Sequence, residues 1–507
     1  MKFSSFLTGR RAGVGALAVA LAVAGGCKQF LDVAPQGQLS EDAIKADPAA
    51  AQKLVDGVYN ALYLGGFGPD ISGLQYVILT DIASDDADKG STPSDYTDAL
   101  NIDNFTATPT NGNVNNSWNG FFQGIARANQ ALDKIPLSPA DDAAKNRQLG
   151  EVRFLRGYFY FNLVRLFGGV PLLNGVPTAG DANNPALQTR ASAADIYAFV
   201  ASDLQFAVDN LPAKANAVVG RANKQSAEAM LAKVYLYQKN YQKAFDLTAD
   251  VITAGGYALY PNYADIWRTV GNNNSESVFE VQTGVNAACN NSAVQIYAIS
   301  QGPRQGGKGG WSDLGYGFNT PSLALSNAYE AGDVRKAGTI ITITNQGTRL
   351  WDGFRIPSQD SVENSRYSYK AYHSRTQEPN CGNTDYLPKN IRVMRYAEVL
   401  LIHAEAALQI GNAGAALADL TAVRARAGLG PTAATLANIW QERRVELAME
   451  HDRFFDLVRQ ESVTPGRIVP IFAAQGKTFV KGKHEVFPIP QPQIDLSGGV
   501  LTQNPGY

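Results

Sequence analysis

Residues Glu151 to Leu173 read EVRFLRGYFYFNLVRLFGGVPLL, and their spacing decides the fold class. Leu155, Tyr158, Phe159, Asn162 and Leu166 recur at three- and four-residue intervals, which lays them along one stripe of a helix. The period stops at Gly168-Gly169, and Pro171 has no amide proton for a further turn. Working outward, DIYAFVASDLQFAVDNLP predicts a second helix from Asp195 that ends before Pro212. A third runs from Asn223 to Gln238, with Ala227, Leu231, Val234 and Gln238 in register. After the turn Lys239-Asn240, a fourth spans Tyr241 to Ala254 and stops at Gly255-Gly256. Near the carboxyl end the same form returns: RYAEVLLIHAEAALQIG from Arg395, a short turn, then AALADLTAVRARAGLG from Ala415. A last helix is predicted over NIWQERRVELAMEHDRFFDLVRQ, Asn438 to Gln460.

Helix–short turn–helix units with alanines at close-approach positions are the pattern of tetratricopeptide pairs, which stack because one pair cannot bury its apolar face alone. The expected fold is mostly α: a tetratricopeptide-like helix-pair superhelix with a loop-rich lobe containing short β-strands. That lobe falls between about Gly256 and Asn390, a stretch rich in Gly, Asn, Ser and aromatics, with short β-like runs such as SVFEVQ and TIITIT. Gly65 to Asn116 has the same character. Long irregular segments are usually functional or disordered, and the aromatic content argues against disorder.

The chain has 507 residues and a formal charge of −2, which gives no electrostatic reason to bind nucleic acid. Lys2, Arg10 and Arg11 precede an apolar run from Val14 to Gly26. As a helix that run reaches about 20 Å, short of the roughly 30 Å hydrocarbon core, so it predicts an export signal rather than a membrane span. Small residues directly before Cys27 predict cleavage there and lipidation of its thiol; ordinary secretion is the alternative. Cleavage removes three positive charges and leaves −5. The expected organisation is a lipoprotein signal peptide over 1–26, a lipid tether over 27–40 and one binding body over 41–507, with the loop-rich insert at about 256–390. Outside the cytoplasm the two remaining cysteines, Cys289 and Cys381, could pair.

Catalytic motifs are thin. GPRQGGKG, Gly302 to Gly309, nearly matches a phosphate loop, but Gly309 stands where a Ser or Thr hydroxyl would hold magnesium. The four histidines show no metal-ligand spacing, and His403 falls on an apolar stripe, as a packed, hydrogen-bonded histidine would. Glu398 sits three residues after Arg395, which predicts an ion pair between them. Asp81, Asp85, Asp86 and Asp88 crowd into TDIASDDADKG without EF-hand spacing, which predicts a solvated acidic loop, with polar ligand contacts or a metal ion as the alternatives. The charge-dense ERRVELAMEHDR predicts buried or rim ion pairs. No cofactor is expected. The loops do offer aromatic rings beside amides and charges, a combination suited to sugars, whose C–H faces lie on rings while polar groups bond the hydroxyls. The candidate ligand-binding residues are Trp311, Tyr316, Phe318, Tyr96, Asp85 and Trp351.

Taken together, EVRFLRGYFYFNLVRLFGGVPLL, RVMRYAEVLLIHAEAALQIGN with VRARAGL, ERRVELAMEHDRFFDLVR and VFPIPQPQIDLSGGVLTQNPGY resemble the SusD/RagB-like (starch-utilisation D-type) outer-membrane lipoproteins. GRANKQSAEAMLAKVYLYQKNYQKAF, GDVRKAGTI and FLDVAPQG fit in the same order. The resemblance implies four tetratricopeptide-like units and a loop-rich lobe. It also implies a non-enzymatic, lipid-anchored, surface-exposed outer-membrane protein that captures oligosaccharide or peptide for a partner SusC-like TonB-dependent transporter. Two other readings of the chain are a periplasmic helical-repeat adaptor and a surface glycoside hydrolase.

Overall fold

The computed structural model describes residues 40–181, 184–283, 292–304, 314–374, 376–379, 387 and 389–507. The export signal, Cys27, most of the tether, Trp311, Cys289, Cys381 and most of the Gly302–Gly309 loop lie outside these residues. Ten described helices have eleven or more residues: α1 Pro48–Ala61, α2 Gly112–Lys134, α3 Asp142–Phe167, α4 Ala193–Asn210, α5 Lys224–Tyr237, α6 Tyr241–Ala254, α7 Tyr396–Gln409, α8 Ala413–Arg426, α9 Leu436–Glu446 and α10 Arg453–Val463. From α1 to α8 each packs on the next, which makes four successive helix pairs of the tetratricopeptide-like kind.

The stretch that opened the sequence reading is the carboxyl-terminal part of α3. The helix begins nine residues before Glu151, where the Asp141 carboxylate accepts from the Ala144 amide at 2.7 Å. One apolar stripe was expected, yet almost every side chain from Glu151 to Phe167 is buried. Neighbours on several sides explain this, and the polar members are satisfied. Arg156 donates to both carboxylate oxygens of Asp203 on α4, at 2.7 and 2.9 Å, and to Asn129 on α2 at 2.7 Å. Gly157 lets α3 and α4 approach, since a Cβ there would stand 3.1 Å from Leu204.

The last predicted helix is instead two, α9 and α10. Met449 (φ 61°) and His451 (φ 71°) adopt left-handed backbone between them, which ends one helix and starts another. The break delivers three consecutive polar residues to buried partners. Glu450 pairs with Lys370 (2.6 Å) and Arg395 (2.7 Å), His451 with Asp81 (2.9 Å), and Asp452 with Arg165 (3.0 Å) and Lys233. Burial opposes the charge on Asp452, but Lys233, Arg165 and Arg443 hold its carboxyl far below the usual range.

Ion pairs from α9 extend this network. Glu442 and Glu446 receive Arg335 at 2.5 and 3.0 Å, Arg443 reaches Glu398 at 2.6 Å, and Arg444 reaches Asp86 at 2.6 Å. The expected Arg395–Glu398 pair does not form. Arg395 ends the strand Ile391–Arg395 and turns to Glu276, Glu446 and Glu450, while Glu398 faces α5 and takes Lys233 at 2.9 Å. His403 is packed as expected: it stacks on Phe245 (4.3 Å) and bonds Asp419 (2.6 Å).

The described strands are β1 Ala87–Gly90, β2 Ser277–Val281, β3 Phe318–Pro321, β4 Ile340–Thr342, β5 Thr348–Arg349, β6 Arg355–Ile356, β7 Arg366–Ser368 and β8 Ile391–Arg395. They pair as four antiparallel ribbons: β1–β3, β2–β8, β4–β7 and β5–β6. The β2–β8 ribbon joins the two ends of the segment between α6 and α7. The main apolar core runs from Ala51 to Leu501, and the loop-rich segment has its own cluster around Ile341, Ile356, Tyr367 and Tyr372.

Candidate ligand-binding face

Ribbon β1–β3 brings the two loop-rich stretches of the sequence together. Its register sets Asp88 against Thr320 and Gly90 against Phe318. At the end of β1, Gly90 (φ 70°) lies so close to the other strand that a Cβ would fall 2.3 Å from the Gly317 carbonyl. The Ser91 amide donates to that carbonyl at 2.7 Å. Three non-glycine residues here, Ser91 (φ 53°), Tyr96 (φ 52°) and Asn319 (φ 54°), occupy the left-handed region. Such conformations persist only where neighbours enforce them, and they concentrate at ligand sites.

The enforcing contacts are visible. Asn319 donates to Asp81 (3.0 Å) and Gln301 (2.8 Å) in the interior. Ser91 donates to Asp95 at 3.0 Å, and Arg304 donates to both. Burial opposes the charge on Asp95, and the bonds from Ser91 and Arg304 outweigh it, so its carboxyl sits below the usual range. Tyr96, half-buried at the start of helix Thr97–Asp103, donates to Gln75 at 2.6 Å. Its oxygen also lies against the Asn113 amide. The single phenolic proton is therefore shared between the Gln75 and Asn113 carbonyl oxygens. Burial pushes the phenol up to about 12, so it stays neutral. The Tyr96 ring meets Phe318 edge-on at 5.9 Å, and Tyr316 lies two residues before Phe318, half-buried against the cluster of Ala298, Ile299 and Leu387.

Of the residues chosen from sequence, Phe318 lies buried on the ribbon, with Tyr96 and Tyr316 half-buried beside it. Asp85 does not join them. Its carboxylate is buried and receives Arg453 at 2.6 and 2.8 Å and Arg444 at 2.9 Å, so it has no free face for a solute. The acidic run TDIASDDADKG is therefore not a solvated loop. Asp81, Asp85 and Asp86 are buried against His451, Arg453 and Arg444, the far ends of the charge-dense carboxyl-terminal motif. Among the described residues no group of three His, Cys, Asp or Glu is placed to hold a metal ion. Trp351 lies apart in the β5–β6 region. Arg268 covers its ring at 3.9 Å and Tyr372 meets it edge-on at 6.5 Å, which accounts for it by packing.

Phe67 was missed. It stands 72% exposed in the loop Gly65-Gly66-Phe67-Gly68-Pro69. The base of that loop is fixed: the Ile71 amide bonds the Leu64 carbonyl (2.9 Å), and the buried Asp70 carboxylate accepts from Gly73 (2.7 Å) and Gln75 (3.0 Å). Gln75 donates to the Gly66 carbonyl at 2.7 Å, so one amide side chain ties the Phe67 loop to the Tyr96 hydroxyl. The signal in the sequence was a lone aromatic among glycines, the same signal that selected Trp311.

A row of four helix pairs carrying a loop-rich face of rings and amides defines a solute-binding class built on a helical scaffold. The family model described as "SusD family" matches residues 275–507, and the one described as "Starch-binding associating with outer membrane" matches 29–236. A SusD-like protein of Bacteroides ovatus is 26% identical over 513 residues, 94% of this chain and 88% of its own. A solved laminarin binding SusD-like protein is 31% identical with a TM-score of 0.75, covering 90% of this chain and 99% of that one. Surface glycan-binding protein A of Bacteroides thetaiotaomicron, solved in complex with laminarihexaose, is 23% identical with a TM-score of 0.75, covering 90% and 99%. The chain belongs to the SusD family. No helix among the described residues is long and apolar enough to cross a membrane.

Proposed function

We propose that this chain is a lipid-anchored outer-membrane binding protein that captures an oligosaccharide on the Tyr96 face and passes it unaltered to a TonB-dependent transporter. The observation that carries the reading is the fixed, half-exposed Tyr96 ring. Its hydroxyl is held by Gln75 and Asn113 and its edge rests on Phe318, so no side-chain freedom is lost when a sugar stacks on it. Relatives described as binding laminarin and laminarihexaose support a neutral glucan as ligand over a peptide. The family description supports the outer membrane, and the residues before Cys27 support the anchor.

The test is a glycan and peptide array followed by calorimetry on the mature protein. Saturable oligosaccharide binding with no new reducing ends after long incubation is expected, as is recovery of a large β-barrel on pull-down from membranes. Binding to peptides alone, or the appearance of new reducing ends, sinks the proposal. Incorporation of labelled palmitate that is lost in Cys27→Ala checks the anchor.

A further inference from the structure

Beside the aromatic face lies a second, polar cavity of about 300 Å³ between ribbon β1–β3, helix Thr97–Asp103 and the residues leading into β7. It shares Gly90 and Ser91 with the Tyr96 site, and that volume is at the lower end for small-molecule pockets, room for about one sugar ring. Of the residues singled out in the sequence, Asp88 of the acidic run lines it.

Its polar groups are unmatched in a specific way. Asp88, on β1, is half-buried, and its carboxylate accepts no hydrogen bond from any described residue. Burial raises its carboxyl from the usual range, against the pull of Lys477 and Arg366. Across the cavity Arg366 donates through Nε to the Pro321 carbonyl (2.7 Å) and through Nη1 to Ser365 (3.3 Å), which leaves Nη2 free among the described residues. The cavity thus presents one free donor, the Arg366 Nη2, and one free acceptor group, the Asp88 carboxylate.

The charges select among occupants. Lys477 is bound to Asp103, and Lys89 is spent on the Thr92 and Asp95 carbonyls at 2.6 and 2.7 Å. An acidic sugar would meet the unpaired Asp88 carboxylate. A cation would meet Arg366. A neutral ring whose hydroxyls both donate and accept meets neither objection. We infer that this cavity is a second sugar subsite, taking one neutral, uncharged ring of the same oligosaccharide further along the chain than the ring on Tyr96. This rests on the oligosaccharide reading above.

The experiment titrates wild type, Asp88→Asn, Asp88→Ala and Tyr96→Ala with neutral glucan oligosaccharides of two and six units, β-1,3 and α-1,4, and with an acidic hexagalacturonide. The Asp88 carboxylate accepts no hydrogen bond from any described residue, so both of its variants should melt with wild type. The expected result is that Asp88→Ala weakens the bound hexasaccharide about tenfold and leaves its disaccharide unchanged, while Tyr96→Ala weakens both. Wild type should reject the hexagalacturonide. Hexasaccharide affinity unchanged in both Asp88 variants, with Tyr96→Ala still impaired, overturns the subsite and leaves the oligosaccharide reading standing. Wild type binding no neutral oligosaccharide overturns both.

Discussion

Two regions of this molecule gather arginines, carboxylates and aromatic rings, and they use them in opposite ways. Around α9 the charges are paired with one another and mostly buried. Arg395 alone touches Glu276, Glu446 and Glu450, and Tyr263 and Trp267 lie against its guanidinium. Beside ribbon β1–β3 the Tyr96 and Tyr316 rings are half-exposed, the backbone is held in left-handed conformations, and Asp88 and Arg366 keep bonding capacity unspent. Ionic density therefore marks the scaffold, whereas incompletely matched polarity beside a fixed ring marks the face that meets a solute. In the first region the protein supplies both halves of every interaction, and in the second it supplies one.

Removing a partner from each region should separate stability from binding. Arg395→Ala would leave three buried carboxylates without their shared cation. Breaking such a buried set costs about 3–5 kcal/mol, and urea unfolding should show a loss of that size. Affinity of the remaining folded protein for its oligosaccharide should be unchanged. A variant that unfolds at the wild-type midpoint would show that the network is dispensable to the scaffold.

The reverse is expected at Tyr96. Tyr96→Ala should weaken oligosaccharide binding by about 1–3 kcal/mol, by analogy with stacking of bases on aromatic rings. Tyr96→Phe keeps the ring but loses its two amide partners, so it should retain most of the affinity if stacking dominates. Calorimetry on the pair distinguishes a stacking ring from a hydrogen-bonding one.

A smaller scaffold effect should depend on pH. Glu461 accepts amide protons from Gly466 (2.8 Å), Arg467 (2.7 Å) and Ile468 (3.1 Å) and pairs with Lys481 (2.8 Å). Burial works against its charge, yet these donors hold the carboxyl down to about 2. A carboxyl whose pKa falls on folding stabilises the protein above its unfolded value of about 4.3, and that contribution fades as pH drops toward 2. Glu461→Gln should therefore cost about 1.5–3 kcal/mol at neutral pH, the range for a charged hydrogen bond. The gap to wild type should close as unfolding is measured from pH 5 down to pH 2.5.

The scaffold was the more legible half in the sequence. Apolar spacing located α4 to α8 to within a few residues because α4, α6 and α8 bury one face and the short turns Lys239-Asn240 and Gly411-Asn412 punctuate the rest. Pattern failed where tertiary contacts overrode it. The α9–α10 break needs left-handed residues at Met449 and His451, which no local preference announces, and it exists to bring Glu450, His451 and Asp452 to partners far along the chain. Asp85 was misjudged for the same reason, since Arg453, which neutralises it, lies 368 residues away. At the face, rings among glycines could be picked out, but not which rings were consumed by packing. Trp351 and Tyr96 look alike in sequence, and only the placement of Arg268 over one and of Gln75 beside the other tells them apart.

Phe67 tests whether the incompletely matched region extends beyond the ribbon. Its ring is 72% exposed, so Phe67→Ala removes almost no packing, and the thermal midpoint should not move. The loop that holds it is braced by Asp70 and by the Gln75 bond to Gly66, so the ring is presented rather than free to fold back. If a sugar chain crosses from Tyr96 over that loop, losing the ring should weaken binding of a hexasaccharide by about 1 kcal/mol, the lower end of the stacking range. Disaccharide binding should be untouched, because a two-unit ligand occupies only the Tyr96 end. Equal loss for both lengths would place Phe67 at the same ring as Tyr96, and no loss for either would confine the face to the β1–β3 ribbon.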